Sequence, residues 1–308
     1  MNRMTDNKIV LITQKTRLED LIYRHNSIGQ AKFYIEHHGG DFSDYEVEHS
    51  KYQESISVAK DFLEKYGRLQ VIDRGFVSNF MFGKDDLVVA IGRDGLIANT
   101  MKYLDGQMLI GVNPDPTRWD GVLLPFVAED LKSIIPEVQA KKRNVKAVTL
   151  AKVSLNDGQE LYGVNDIFIG QKTHTSARYE ISFRNKKETQ SSSGIIVSTG
   201  LGATGWLKSI ISGAAGIDKA CGLSQKPLIG DEFHWDSNYL YFTVREPYPS
   251  TSTGADIVFG KIEENEKFIV TSNMPENGVI FSDGMEQDYL QFNSGSTAEI
   301  TIAEKTDK

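Results

Sequence analysis

Cysteine is almost missing from this sequence: Cys221 stands alone among 308 residues. That excludes an intramolecular disulfide and any cysteine cluster for zinc or an iron–sulfur group. Histidine is also sparse, with six in all. His37 and His38 are neighbours at a predicted helix end with no third ligand in spacing, so they read as a solvated pair. His25, His49, His174 and His234 are scattered, and no metal site is expected. No long apolar run marks a membrane span, and no secretory h-region or Arg/Ser-rich transit peptide is visible. MNRMTDNKIVLIT runs almost directly into a strand, and the expectation is a soluble cytoplasmic protein. A basic excess is missing too. The formal net charge is -8, which argues against a general nucleic-acid or anionic-membrane surface but leaves room for a small basic phosphate pocket. There is no internal repeat and no low-complexity segment.

What is present is an ordinary globular composition, 40% hydrophobic and 25% charged, long enough for two domains. Lys8 to Thr13 reads as a short buried strand, and Leu18 to His37 as a helix closed by Gly39-Gly40. A polar stretch, Asp41 to Gln53, comes next. Ile56, Ala59, Leu63 and Tyr66 then recur at helical spacing, and Leu69 to Ile72 returns as a strand. Leu87 to Ile91 is a continuous β-branched run, suited to a buried parallel strand. Gly92-Arg93-Asp94-Gly95 breaks it before another helix, and Met108 to Val112 is a fourth strand ending in Asn113-Pro114-Asp115-Pro116. Alternation of strand and helix predicts a Rossmann-like α/β domain whose parallel sheet binds ligands beyond its C-terminal strand ends.

After the helical, charged segment Ala128 to Arg143 the character changes. Val145 to Val153, Glu160 to Gly170, Ala177 to Phe183 and Gly194 to Ser198 are strand-like, with Asn156-Asp157-Gly158 and Asn185-Lys186-Lys187 as turns. A helix is predicted at roughly Thr204 to Ser212. Tyr239 to Val244, Asp256 to Lys261, Lys267 to Ser272, Val279 to Phe281 and Ala298 to Ala303 complete a strand-rich half, expected to be a sandwich. The expected domains are residues 1–143 and 144–308.

A strand feeding a glycine-containing turn and a helix offers unpaired N–H groups and a positive dipole end, a generic phosphate site. Here it carries Asp94 in its middle. The spacing matches neither Walker A nor GxGxxG. Three further segments invite a functional reading: Gly163-Val164-Asn165-Asp166, the turn Ser198 to Trp206, and Ser282-Asp283-Gly284. Each alone has a structural explanation: a strand start, helix capping and a hairpin turn. Trp119 and Trp235 read as packing residues, and Glu263 to Lys267 and Lys141-Lys142-Arg143 as solvated surface.

Taken together and in order, these residues resemble the NAD kinase family, closest to its mitochondrial-type branch, over nearly the whole chain. Gly92 to Leu96 resembles the family's Gly-Gly-Asp-Gly-Thr turn, and Gly111 to Pro116 its Gly-Val-Asn-x-Asp-Pro segment. Asn165-Asp166 before Ile167-Phe168-Ile169-Gly170 resembles an Asn-Glu pair opening a strand. Ala177 to Ser182 and Ser192-Ser193-Gly194 are similar to the segments next in order in that branch. Thr199 to Ala203 echoes a Thr-Gly-Thr-Gly-Ser turn, and Asp283-Gly284 a late Asp-Gly.

The resemblance implies phosphoryl transfer from ATP to the adenosine 2′-hydroxyl of NAD, giving NADP. It assigns Asp94 to accepting the hydroxyl proton or orienting the oxygen, and Gly92 and Gly95 to the ATP phosphates. Arg93 between them either pairs with a phosphate directly or crowds the phosphates and strains the turn. It places Asn165, Asp166, Thr204, Gly205, Trp206 and Ser209 against the dinucleotide. Mg²⁺ is expected to arrive with ATP rather than in a protein cage, and a homodimer or larger homo-oligomer is implied through the strand-rich domain. The partners expected are small-molecule nucleotides. The chain departs from the pattern at Arg93 (family glycine), Leu96 (threonine) and Asp166 (glutamate). The first two departures also suit a catalytically impaired relative that binds NAD(P) as a sensor or regulator. A kinase for another hydroxyl, such as a lipid's, shares only the glycine–aspartate turn.

Overall fold

The computed structural model describes residues 3–223, 232–285 and 288–307. The chain divides into two compact units, Met1–Val145 and Lys146–Asp307.

The first unit runs β1 (Lys8–Thr13), α1 (Arg17–His25), α2 (Ile28–His37), α3 (Phe42–Tyr66), β2 (Arg68–Asp73), β3 (Leu87–Ile91), α4 (Asp94–Met101), β4 (Leu109–Val112) and α5 (Leu131–Gln139). Its four strands pair in parallel in the order β2-β1-β3-β4. Ile9, Leu11, Val89 and Ile91 of the sheet share a core with Leu63 of α3 and Ile134 of α5. Two helical expectations change. The single helix expected from Leu18 to His37 is two, because Asn26 turns left-handed at φ 61° and the Ser27 hydroxyl accepts the Gln30 N–H to begin again. The polar stretch Asp41 to Gln53 is helical and belongs to one 25-residue helix. Asp41 caps it, and its early turns are held by ion pairs of Arg17 and Arg118 with Asp44. Apolar periodicity does not register such a helix start.

The second unit comprises β5 (Val148–Leu155), β6 (Glu160–Gly163), β7 (Asp166–Gln171), β8 (Ala177–Phe183), β9 (Lys186–Ser192), β10 (Ile195–Ser198), α6 (Trp206–Ala220), β11 (Tyr239–Val244), β12 (Phe259–Glu263), β13 (Phe268–Ser272), β14 (Gly278–Ser282), β15 (Tyr289–Gln291) and β16 (Thr297–Asp307). Two antiparallel six-stranded sheets, β12-β11-β10-β7-β14-β15 and β6-β5-β16-β13-β8-β9, contribute to one core that includes Ile167, Tyr179, Val197, Phe242 and Phe268. The expected run Glu160 to Gly170 is two strands in different sheets. The chain crosses over at Gly163, where an added Cβ would lie 2.6 Å from Ile167 Cγ1. The turn expected at Asn185 to Lys187 is Arg184-Asn185, both at positive φ, and Lys186 already belongs to polar β9. The α6 helix extends eight residues beyond the expected Ser212, β12 is displaced toward Glu263, and β15 is a further short strand that the sequence pattern does not predict. Among the described residues no helix is long and apolar enough to cross a membrane.

Candidate functional site

In the first unit, β3 is buried at every position and delivers Gly92 to Gly95 at its C-terminal end. The Tyr52 hydroxyl donates to the Ile91 carbonyl at 3.0 Å and accepts the Gln14 N–H at 2.8 Å. The Gly92 N–H donates to the Val112 carbonyl, so the strand end is held from both sides. An added Cβ at Gly92 would sit 2.8 Å from Leu96 Cδ2. Leu96 is wholly buried and fills the space beneath the turn. Arg93 takes φ -114° and ψ 165°, a conformation open to any residue. Its exposed guanidinium lies over the Trp119 ring, 5.0 Å from the centroid. Trp119, expected to be packing, is therefore a platform for this arginine. Gly95 is exposed, with nothing near its missing side chain.

Asp94 opens α4 and is half-buried. Its Oδ1 accepts the Leu123 N–H at 2.8 Å. Leu123 can approach because β4 carries Gly111, where an added Cβ would be 2.1 Å from the Leu123 carbonyl oxygen. A cavity of about 20 Å³, about one water's room, is lined by Gln14, Lys15, Tyr52, Gly92, Arg93 and Trp119, among others. Beside it, buried Asp115 accepts from Lys51 at 2.8 Å and from the Thr117 hydroxyl at 2.6 Å. Burial alone pushes the Asp115 carboxyl up, but these two partners outweigh it and hold the group below its ordinary value. Asn113 shapes the same loop, donating to the Trp119 carbonyl and accepting the Asp115 N–H. Arg74 is brought close to Arg93. Its own pKa is lowered by burial and then by that second positive charge. The Arg93 guanidinium, on the N-cap residue of α4, suits an anion. Leu123, Arg74 and the Lys51–Asp115 pair were missed in the sequence, since their partners are remote in the chain.

In the second unit, Asn165 and Asp166 enter β7 within reach of three other segments. Thr199 donates its N–H to the Asn165 carbonyl and its hydroxyl to the Val164 carbonyl, at 3.0 and 2.5 Å. The same hydroxyl oxygen accepts the Gly202 N–H. An added Cβ at Gly202 would stand 2.0 Å from the Asn165 carbonyl oxygen, so the two turns fit only with glycine there. The Asp283 carboxylate accepts N–H groups of Val164, Asn165 and Asp166. Ser282-Asp283-Gly284 is thus more than the hairpin turn its sequence suggests. Asp166 is buried, and burial together with the neighbouring Asp283 charge pushes its carboxyl up to about 7.

Alternation along β7 puts Asp166 on the same face as Phe168. Trp206, at the start of α6, stacks on Phe168 with centroids 5.8 Å apart and planes 8° from parallel. Arg245 covers the Trp206 ring at 5.3 Å. A cleft of about 200 Å³ beside them is lined by aromatic Phe168, Trp206, Phe281 and Tyr289 and by cationic Lys172 and Arg245, among others. Thr204 and Gly205 are exposed in the turn before α6. Ser209 is also exposed, its hydroxyl donating to the Gly205 carbonyl at 3.3 Å. The structure therefore brings Asn165 and Asp166 together with the glycine-rich turn and sets Trp206 on the adjoining sheet face. His38, elsewhere, places Nδ1 2.7 Å from the Tyr34 carbonyl oxygen.

No protein-family model matches the chain. Among curated proteins it is similar to NAD kinase 2 of Geobacillus kaustophilus (strain HTA426), with 24% identity over 147 residues, 46% of this chain and 54% of that protein. The chain thus spans about half the length of the curated relative it matches. Among solved structures, it is similar to an NAD kinase from Archaeoglobus fulgidus in complex with ATP. That match has TM-score 0.54 and 14% identity, covering 97% of this chain and 92% of the other. Yeast NADH kinase complexed with NADH matches with TM-score 0.57 and 14% identity, covering 99% and 83%. The parallel sheet followed by antiparallel sheets is common to them. In fold along its length, and in sequence over part of it, this chain is similar to NAD kinases.

Proposed function

We propose that this chain is an NAD kinase that transfers the γ-phosphoryl group of ATP to the adenosine 2′-hydroxyl of NAD. The observation that carries the reading is Asp94, set at the start of α4 with one carboxylate oxygen fixed by Leu123. A held carboxylate at a helix N-terminus lies where a phosphate and a hydroxyl can meet. In the reaction the 2′-oxygen bonds to the γ-phosphorus, the bond from that phosphorus to the β–γ bridging oxygen breaks, and ADP leaves. Asp94 takes the hydroxyl proton. Amides of the turn, with Arg93 and Arg74, offset the phosphate charge. Little covalent work is left to the protein, so positioning and charge stabilisation carry most of the rate.

Asn165 and Asp166 take the adenosine and ribose in this reading, with Thr204, Gly205, Trp206 and Ser209 lining the dinucleotide pocket. Mg²⁺ enters with ATP as part of the substrate. Residues 177–182 and 192–194 support the mitochondrial-type branch, and assembly into a homodimer or larger oligomer through the second unit belongs to the same proposal. A coupled assay of purified protein with NAD, ATP and Mg²⁺ tests the activity: NADP formation is expected, and NAD binding without turnover points instead to a sensor. Light scattering of the same sample tests assembly.

A further inference from the structure

Antiparallel pairing of β14 with β7 ends at Ser282↔Ile167. The chain leaving one strand therefore stands beside the chain entering the other. At that point Asp283 donates its backbone N–H to the Asp166 carbonyl at 3.0 Å. Its side chain turns the other way along the same junction. Oδ1 and Oδ2 each lie 3.1 Å from the Val164 nitrogen, and Oδ1 lies 2.6 Å from Asn165 N and 3.4 Å from Asp166 N. An aspartate that merely closed a hairpin would bond its own backbone two residues on. This one reaches a segment 117 to 119 residues away. Gathering successive amides around one carboxylate fixes the local backbone, since each N–H must keep its direction.

The arrangement is costly in two ways. Asp283 is held at φ 54°, a left-handed conformation uncommon for a side-chain-bearing residue. Its carboxylate also stands near the buried carboxyl of Asp166, a like charge. A neutral asparagine could accept some of the same bonds without that repulsion. On these grounds we propose that Asp283 is a positioning residue for the dinucleotide: its carboxylate clamps the Val164–Asp166 turn in the shape that presents Asn165 and Asp166 to the ligand. The proposal rests on the reading of those two residues as dinucleotide contacts.

The test compares wild type, Asp283→Gly and Asp283→Asn. Glycine accepts the positive φ at no steric cost but removes the clamp, whereas asparagine tolerates the φ and keeps one acceptor oxygen. NAD affinity is read by calorimetry, KM for NAD and for ATP by the coupled assay, and folding by circular dichroism and Tm. The expected result is a folded Asp283→Gly protein whose Kd and KM for NAD rise roughly tenfold or more, about 1.4 kcal/mol per decade. Its KM for ATP stays within about twofold, and Asp283→Asn recovers most of the NAD affinity. Wild-type affinity for NAD in Asp283→Gly overturns the clamp, as does a parallel loss toward NAD and ATP, which marks a purely structural role. Should Asp283→Gly not fold, Asp283→Ala, which also removes the acceptor oxygens, decides by the same split between the two substrates. Failure of the wild type itself to bind NAD overturns the underlying reading, and the clamp's purpose with it.

Discussion

The carboxylate of Asp94 and the backbone N–H of Leu123 meet at 2.8 Å. One oxygen is thereby occupied and its orientation fixed. The fixed group is chemically equipped to take a proton, and a neutral amide is not. Asp94→Asn is expected to retain the fold while kcat falls by about 10²–10⁴, with KM values little changed. Steady-state kinetics beside circular dichroism check this; wild-type turnover in the variant removes Asp94 from the chemistry.

Gly111 makes that contact possible. A methyl group there meets the Leu123 carbonyl oxygen, so Gly111→Ala pushes the 121–124 turn off β4. Destabilisation of about 1–3 kcal/mol is expected in urea melts, with lower kcat in the fraction that remains folded.

Arg93 has an ordinary backbone conformation and rests on Trp119. Arg93→Ala is expected to shift Tm little, since an exposed cation–π contact contributes only about 0.5–1 kcal/mol. KM for ATP is expected to rise about tenfold as a phosphate partner is lost. A rise in turnover on Arg93→Gly would instead show that the arginine obstructs the turn and would favour the sensor reading.

The Asp166 carboxyl titrates at about 7 in the folded protein, above its ordinary value of 3.8, through burial and the Asp283 charge. The folded state therefore binds this proton more tightly than the unfolded one. The associated stability is present below pH 4 and is lost as pH rises toward 7. Asp166→Asn removes the effect, so the Tm difference between variant and wild type should favour the variant more at pH 8 than at pH 5. Thermal melts at both values, taken as differences so that other carboxylates cancel, provide the check.

Thr199 joins two turns through one buried hydroxyl, donating to Val164 and accepting from Gly202. Thr199→Val leaves those groups unpartnered and is expected to cost about 1–3 kcal/mol. Thr199→Ser should restore most of the stability and of the NAD affinity, measured by urea melts and calorimetry.

Much of the architecture was legible in the residues alone. The β-branched run Leu87 to Ile91, the break at Gly92 to Gly95 and the change of character after Arg143 are local signals, determined by near neighbours in the chain. They announced a parallel sheet with helices, then antiparallel strands, and the order of the motifs pointed to phosphoryl transfer. Two features have equally local causes but carry no apolar periodicity: the break at Asn26 and the acid-capped start of α3. The remaining features were decided by tertiary structure. That Leu123 holds Asp94 from 29 residues away, that the run from Glu160 divides between two sheets, and that Asp283 reaches Asn165 across 118 residues all depend on strand register. Register is settled by which apolar faces pack together, and no window of neighbouring residues contains that information.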